Sequence, residues 1–400
     1  MRILVTCGLP DSALEQLRSL AVEVVYRPDA SAQTLPDLVA GVGILVVGDT
    51  RVSAQTIGRG GALQMIIHAG PGPGDIALEE ASAQGIFVTH CPEQHAVAIA
   101  EHALALLLAL DRQLVAHTLA LHDGRWDRRP AAEARGLAGR TLGILGYDAV
   151  GRQLARRALA FDMRVLAWSP TITGTGALEP GVEPCLWPRE LARRSDFVVV
   201  LPTAEEDAVT LVDADFLQNL PRGAYLVHVG RPGAVDEVAL AEAVPQRQLR
   251  VALDAFANQP LADQARFRCR LCDVPGVLVG TPNVATFTDQ ARQALADEIV
   301  RIVRAFVVSG DVLNCLNLCD RSPATWQLVL RVRDQVGVLA GILEAIRADG
   351  INAEEVNCRV FTGAKAAWIT IALDERPSAE ALETIRALPD VLHLELRAVV

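Results

Sequence analysis

Short apolar runs alternate with longer helical repeats through the first hundred residues. The β-rich runs fall at 3–6, 22–25, 44–47, 65–68 and 86–88, with helical patterns between them. Strands alternating with helices in this way predict a parallel sheet with helices on both faces. A longer apolar pattern then predicts one helix over about 96–121. Its most apolar part, Ala96 to Leu110, contains Glu101 and His102 and is too short to cross a bilayer, so a buried helix is expected.

A second alternating series begins at Thr141. A strand over 141–145 passes through Gly146 into a helix near 150–161, followed by a strand over 164–168. Further strands are expected at 197–201, 224–229, 250–255 and 277–279. This is the βαβ progression of a Rossmann domain over 99–286, inserted into a flavodoxin-like first domain that resumes over 287–315 after residues 1–98. The helical segment 288–308 carries the chain back. The tail, 325–400, reads strand 326–333, helix 338–348, strands 352–361 and 366–373, helix 379–388, strand 392–398. That βαββαβ order is ferredoxin-like. Asp334 and Gly337 occupy its first strand–helix turn, where glycine lets a ligand approach the backbone.

A hydrophobic fraction of 51% with 21% charged residues is that of an ordinary globular chain. The net charge of −11 argues against nucleic acid as a partner, and no membrane association is expected. The opening residues, soon interrupted by Gly8 and Pro10, read as a first strand rather than a signal peptide. Eight cysteines in so long a chain then suggest reduced thiols and a cytoplasmic location. Cys269 and Cys272, and further on Cys315 and Cys319, have ligand-like spacing, but no histidine stands near either pair. Free, partly buried thiols are expected and no metal site.

The segment Gly143-Ile144-Leu145-Gly146-Tyr147-Asp148-Ala149-Val150-Gly151 lies where a strand passes into a helix. A dinucleotide fingerprint needs glycine at the positions of Gly146, Asp148 and Gly151: for the turn, for approach to the pyrophosphate, and for helix packing. Asp148 instead adds bulk and negative charge near a site that favours anions. The next strand should end in a carboxylate for the ribose, yet it ends in Trp168-Ser169-Pro170, with no arginine beyond for a 2′-phosphate.

Together these features resemble the D-isomer-specific 2-hydroxyacid dehydrogenases, most nearly their phosphoglycerate dehydrogenase branch. The resemblance rests on Ala69-Gly70-Pro71-Gly72, Ala100-Glu101-His102, Gly124-Arg125-Trp126, Leu201-Pro202 and Thr210. It continues through His228-Val229-Gly230-Arg231, Asp254-Ala255-Phe256, and Gly280 to Asn283 with Thr288 to Ala291. The tail, with Gly350-Ile351-Asn352, is similar to an ACT domain.

The resemblance implies NAD as cofactor and a small 2-hydroxy or 2-oxo acid as ligand, bound with help from Gly70, Pro71, Gly72 and the guanidinium of Arg231. It places cofactor contacts at Gly146, Asp148, Ala149, Val150, Gly151, Ser169 and Asp254, and an amino-acid ligand at Asp334, Gly337 and Asn352 of the tail. A homodimer or tetramer is expected. It also implies a proton-transfer histidine tuned by a glutamate, but those positions hold Asn283 and Gln259, which have no useful proton affinity. The family's arginine–serine pair for substrate falls on Val47 and Gly48. His228 and His95 stand where the family has asparagine, so either could carry a relocated proton-transfer role. Two functions follow: an NAD-dependent oxidoreductase with altered machinery, or a non-redox homologue that senses an amino acid through its tail.

Overall fold

The computed structural model describes the chain outside residues 21, 130, 132–133, 173–177, 202–209, 261–263, 275–276, 320–321 and 400, and gives the backbone alone for 277–279. Two compact units result, Met1–Asn317 and Leu318–Val400.

The first unit holds two parallel sheets. One is built from β1 (Arg2–Val5), β2 (Glu23–Tyr26), β3 (Ile44–Val47), β4 (Met65–His68) and β5 (Phe87–His90), in the order 2-1-3-4-5. Helices cover both faces, so central strands such as β3, Ile-Leu-Val-Val, are buried throughout rather than alternating. The intervening helices are α1 (Asp11–Arg18), α2 (Leu35–Leu38), α3 (Ala54–Arg59) and α4 (Leu78–Ala83). A long late helix returns to this sheet: its Ile299, Val300, Ile302 and Val303 pack with Ile3, Val5, Ile44 and Val46.

The chain then leaves through α5 (Ala96–Asp111) and α6 (Leu114–His122). The single helix expected over 96–121 is in fact two, bent by 63°. Gln113 adopts the left-handed region at φ 50° and ends the first ladder. Just before it, the buried Asp111 carboxylate accepts from the amides of Arg135 and Gly136 and from the Tyr225 hydroxyl. That anchor fixes the end of α5 against the second sheet. Helix α5 is buried along most of its length, whereas α6 buries no residue. Among the described residues no single helix is long and apolar enough to cross a membrane.

The second sheet contains β6 (Thr141–Leu145), β7 (Arg164–Trp168), β8 (Val182–Pro184), β9 (Phe197–Val200), β10 (Tyr225–His228), β11 (Arg250–Leu253) and β12 (Val277–Gly280). Their order is 12-11-10-9-6-7-8, and every pairing is parallel. Strand order reverses between β6 and β9, the switch point where α/β sheets bind ligands. The short β8 adds a strand that the apolar pattern does not predict. Helices α7 (Ala149–Ala160), α8 (Pro188–Arg194), α9 (Ala214–Asn219) and α10 (Glu237–Arg247) complete the layers before α11 (Asp289–Ser309) returns.

The second unit runs β13 (Trp326–Arg333), α12 (Val338–Ala348), β14 (Ala353–Val360), β15 (Ala366–Leu373), α13 (Ala379–Ala387), β16 (Val391–Ala398). Its antiparallel sheet has the order 14-15-13-16. Leu328, Leu330, Ile369 and Ile371 meet Ile342, Ile346 and Ile385 in one core.

Candidate active site

The turn from β6 into α7 keeps two of its three glycines for visible reasons. Gly146 stands at φ 104°, where a side chain is strained. A Cβ on Gly151 would lie 2.9 Å from the Gly146 carbonyl oxygen and 3.0 Å from the Tyr147 ring. Between them, Asp148 is extended and caps the helix. Its Oδ1 accepts from the amides of Val150 at 2.9 Å and Gly151 at 3.3 Å. Amides at a helix N-terminus are the donors that hold an anion, and here the chain's own carboxylate takes two of them. Burial pushes the Asp148 carboxyl above its ordinary value, while the two amides and Arg152 oppose that shift. Ala149 opens α7.

The surroundings add negative charge. Tyr147 donates to Glu179, and burial together with that carboxylate pushes the phenol's pKa upward. Arg152 pairs with Glu179 at 3.8 Å and with Glu93 at 3.2 Å. Beyond β7, the buried Ser169 hydroxyl bonds the Thr171 hydroxyl at 3.0 Å. The pyrophosphate cradle thus keeps two of its three glycines, and the Asp148 carboxylate stands on two of the amides that a pyrophosphate would use.

Asp254, just after β11, bonds inward. Oδ1 accepts from the Thr281 hydroxyl at 2.6 Å and the Val284 amide at 2.9 Å, and Oδ2 from the Ala285 amide at 3.0 Å. His102 of α5 places Nε2 3.0 Å from Thr281 Oγ1 and 3.5 Å from Asp254 Oδ1. Burial would raise the Asp254 carboxyl, but the bonds from His102, Thr281 and the two amides outweigh it and hold it low. Asp254 therefore ties α5 and the tip of β12 to the 281–285 turn. Asn283, exposed at φ 53°, stands on that turn and donates its amide to the Asp254 carbonyl. His102 and Thr281 belong to this network, although in the sequence they stand only as marks of resemblance.

Gln259 closes its own turn. Its Oε1 accepts from the Phe256 amide at 3.2 Å, and its amide donates to the Phe256 carbonyl. Among the described residues no hydrogen bond joins it to Asn283. His228 ends β10 and is 3% exposed, with Nε2 donating to the Arg231 carbonyl at 3.2 Å. Burial drives its pKa down to about 4, against bonds to the Arg231 and Ala255 backbone. That is a poor proton acceptor near neutrality, and the ring already braces the 228–231 turn. Arg231 follows this turn, half-buried at the carboxyl edge of the sheet. His95 is the residue before α5; burial lowers its pKa, and its Nδ1 finds no hydrogen-bond partner among the described residues.

The Gly70-Pro71-Gly72 loop leaves β4 between two histidines. His68 Nδ1 donates to the Gly72 carbonyl at 2.9 Å, and the Gly72 amide donates to His90 Nδ1 at 3.0 Å. Gly70 accepts from the Cys91 amide. Val47 is buried, and a Cβ on Gly48 would meet Cys7 at 3.2 Å. Pro202 lies outside the described residues. In the second unit Gly337 caps α12 at φ 94°, the Asp334 amide donates to the Lys365 carbonyl, and Asn352 bonds Glu354 and Asp374. Among the described residues no three His, Cys, Asp or Glu side chains gather as for a metal, and the cysteines are free thiols.

The D-isomer specific 2-hydroxyacid dehydrogenase NAD-binding domain family matches residues 104–285. D-3-phosphoglycerate dehydrogenase from Mycobacterium tuberculosis is 31% identical over 306 residues, covering 75% of this chain and 56% of the relative. The chain thus spans little more than half the length of that relative. Hydroxypyruvate reductase from Thermotoga maritima is 31% identical over 268 residues, 66% of this chain and 85% of the relative. The TT0316 protein from Thermus thermophilus superposes with a TM-score of 0.67 at 31% identity, covering 79% of this chain and 100% of that one. With the parallel sheets and the Gly146–Gly151 turn, these matches show that the chain belongs to the D-isomer-specific 2-hydroxyacid dehydrogenase family and carries its NAD-binding domain.

Proposed function

We propose that this chain is a non-redox member of its family, a protein that binds a small 2-hydroxy or 2-oxo acid without oxidising or reducing it at enzymatic rates. The observation that carries the reading is the Asp148 carboxylate on the Val150 and Gly151 amides. A nicotinamide dinucleotide must compete with that carboxylate for the helix N-terminus, so its affinity is reduced. Asn283 and Gln259 supply no proton acceptor, and Gln259 is folded onto its own turn. The retained Arg231 supports carboxylate binding, since its planar fork suits such a group at the carboxyl edge of the sheet.

Two further parts belong to the same proposal. The second unit, as an ACT domain, senses an amino acid near Asp334, Gly337 and Asn352; its βαββαβ order and the open turn at Gly337 support this. The chain also self-associates through α6, which exposes Leu114, Leu119 and Leu121 and buries nothing.

Turnover tests the reading. With NADH or NADPH and hydroxypyruvate or related 2-oxo acids, rates about 10² to 10⁴-fold below those of a relative with the histidine–glutamate pair are expected. Rates equal to such a relative refute it. A thermal shift with serine or another amino acid, lost on truncation before Trp326, is expected for the tail, and no shift with any amino acid refutes sensing there.

A further inference from the structure

Cys269 and Cys272 bring their sulfur atoms to 3.3 Å, the one such thiol pair among the described residues. Cys269 precedes a short 3-10 turn, Arg270–Asp273, and Cys272 lies within it, its amide donating to the Cys269 carbonyl at 3.2 Å. Residues three apart in such a turn have Cα atoms within the span a disulfide bridges. The two thiols differ in access. Cys269 is buried and Cys272 is exposed, so Cys272 can attack a disulfide that arrives from solvent and Cys269 can resolve the product. Burial, with the Cys272 thiol beside it, pushes Cys269 up to about 11, which suits the resolving thiol and not the first nucleophile. Cys7, Cys91 and Cys185 are half-buried or buried thiols that burial pushes up to about 12, 12 and 11, which suits inert structural residues. Arg266, Arg268 and Arg270 are all exposed beside the pair, with Arg268 paired to Asp273. This small basic stretch stands out on a chain of net charge −11.

We propose that Cys269 and Cys272 form a reversible redox site that exchanges with a small disulfide carrying carboxylate groups. The Cys272 thiolate attacks one sulfur of the small disulfide, forms a mixed disulfide and expels one small thiolate. The Cys269 thiolate then attacks Cys272 Sγ, closes the protein disulfide and expels the second small thiolate. Two electrons pass from the cysteine pair to the small disulfide, and the two thiol protons end on the two released thiols. The arginines draw the anionic partner in. Cys269 and Leu271 share a core with Leu253 and Phe256, and Phe256 meets Phe267 at 5.1 Å. Closing the disulfide draws Cys269 toward Cys272 and loosens packing directly behind the loop that carries Asp254 and Gln259.

Oxidised glutathione with the full-length protein, read by intact mass and peptide mapping, tests this. Wild type loses about 2 Da and yields a Cys269–Cys272 linked peptide, which a dithiol reverses. Cys269→Ser accumulates one glutathione adduct on Cys272, because the resolving thiol is gone, and Cys272→Ser forms neither product. Wild type carrying iodoacetamide on Cys272 alone, which avoids any folding defect of a variant, is likewise inert. Adducts confined to Cys315, Cys319 or Cys358, or an unresolved adduct on Cys272 of wild type, overturn the proposal.

Discussion

Asp148 and His228 each bond a polar side chain to the chain's own backbone. At Asp148 the glycine that would leave two amides open is replaced by the residue type best suited to close them, an N-cap. At His228 an imidazole fills the site of an amide and donates to the Arg231 carbonyl. Its pKa of about 4 in the fold, against an ordinary 6.5, has a stability consequence with a definite sign. The folded state holds the ring neutral while the unfolded chain protonates it. Its contribution is therefore full above pH 6.5 and is lost as the pH falls from there toward 4, a loss of about 3 kcal/mol. Urea unfolding across that range should show the loss in wild type and a flatter profile in His228→Asn. Equal profiles would show that the ring is not held neutral. The sequence marks His228 as a position of interest, but burial and backbone partners, which decide its role, are set by the surrounding strands.

Among the elements, the strands are the most legible in the sequence. Their apolar runs are bounded by glycine and proline, and all three sheets place them where the periodicity does. The pattern misses β8, because Val182-Glu183-Pro184 is three residues long with no alternation. It also misses the break at Gln113, because neither glycine nor proline marks it. The break is specified at a distance, by the bonds that Asp111 accepts from residues 135, 136 and 225. The outcome is α6, an apolar helix with no buried residue. Leu119→Glu with Leu121→Glu changes only exposed positions, so the fold should survive. Light scattering should then report the monomer mass for the variant and a multiple of it for wild type. A wild-type monomer would rule out self-association through this helix.

For the whole molecule, family and element order follow from patterns spread along the chain, whereas the bonds of the candidate site follow from contacts between distant segments. His102, Asp254, Thr281 and the amides of Val284 and Ala285 come from three stretches of chain and meet only in the fold. Through these bonds Asp254 braces the 281–285 turn. On the proposed reading the scaffold persists while Asp148 occupies its anion site and Asn283 and Gln259 replace its proton-transfer pair, and one variant separates these two deficits. Asp148→Gly removes the cap at a cost of only a few tenths of a kcal/mol, about the usual difference between aspartate and glycine at an N-cap. It also returns two amides to an anionic ligand, worth about 1.5 kcal/mol or more. Titration of both proteins with NADH, followed by fluorescence, decides whether the Asp148 cap is what closes the anion site. Asp148→Gly is expected to bind NADH about tenfold or more tightly than wild type, with stability nearly unchanged. Equal affinity in the two proteins, or tighter binding by wild type, would contradict a closed site.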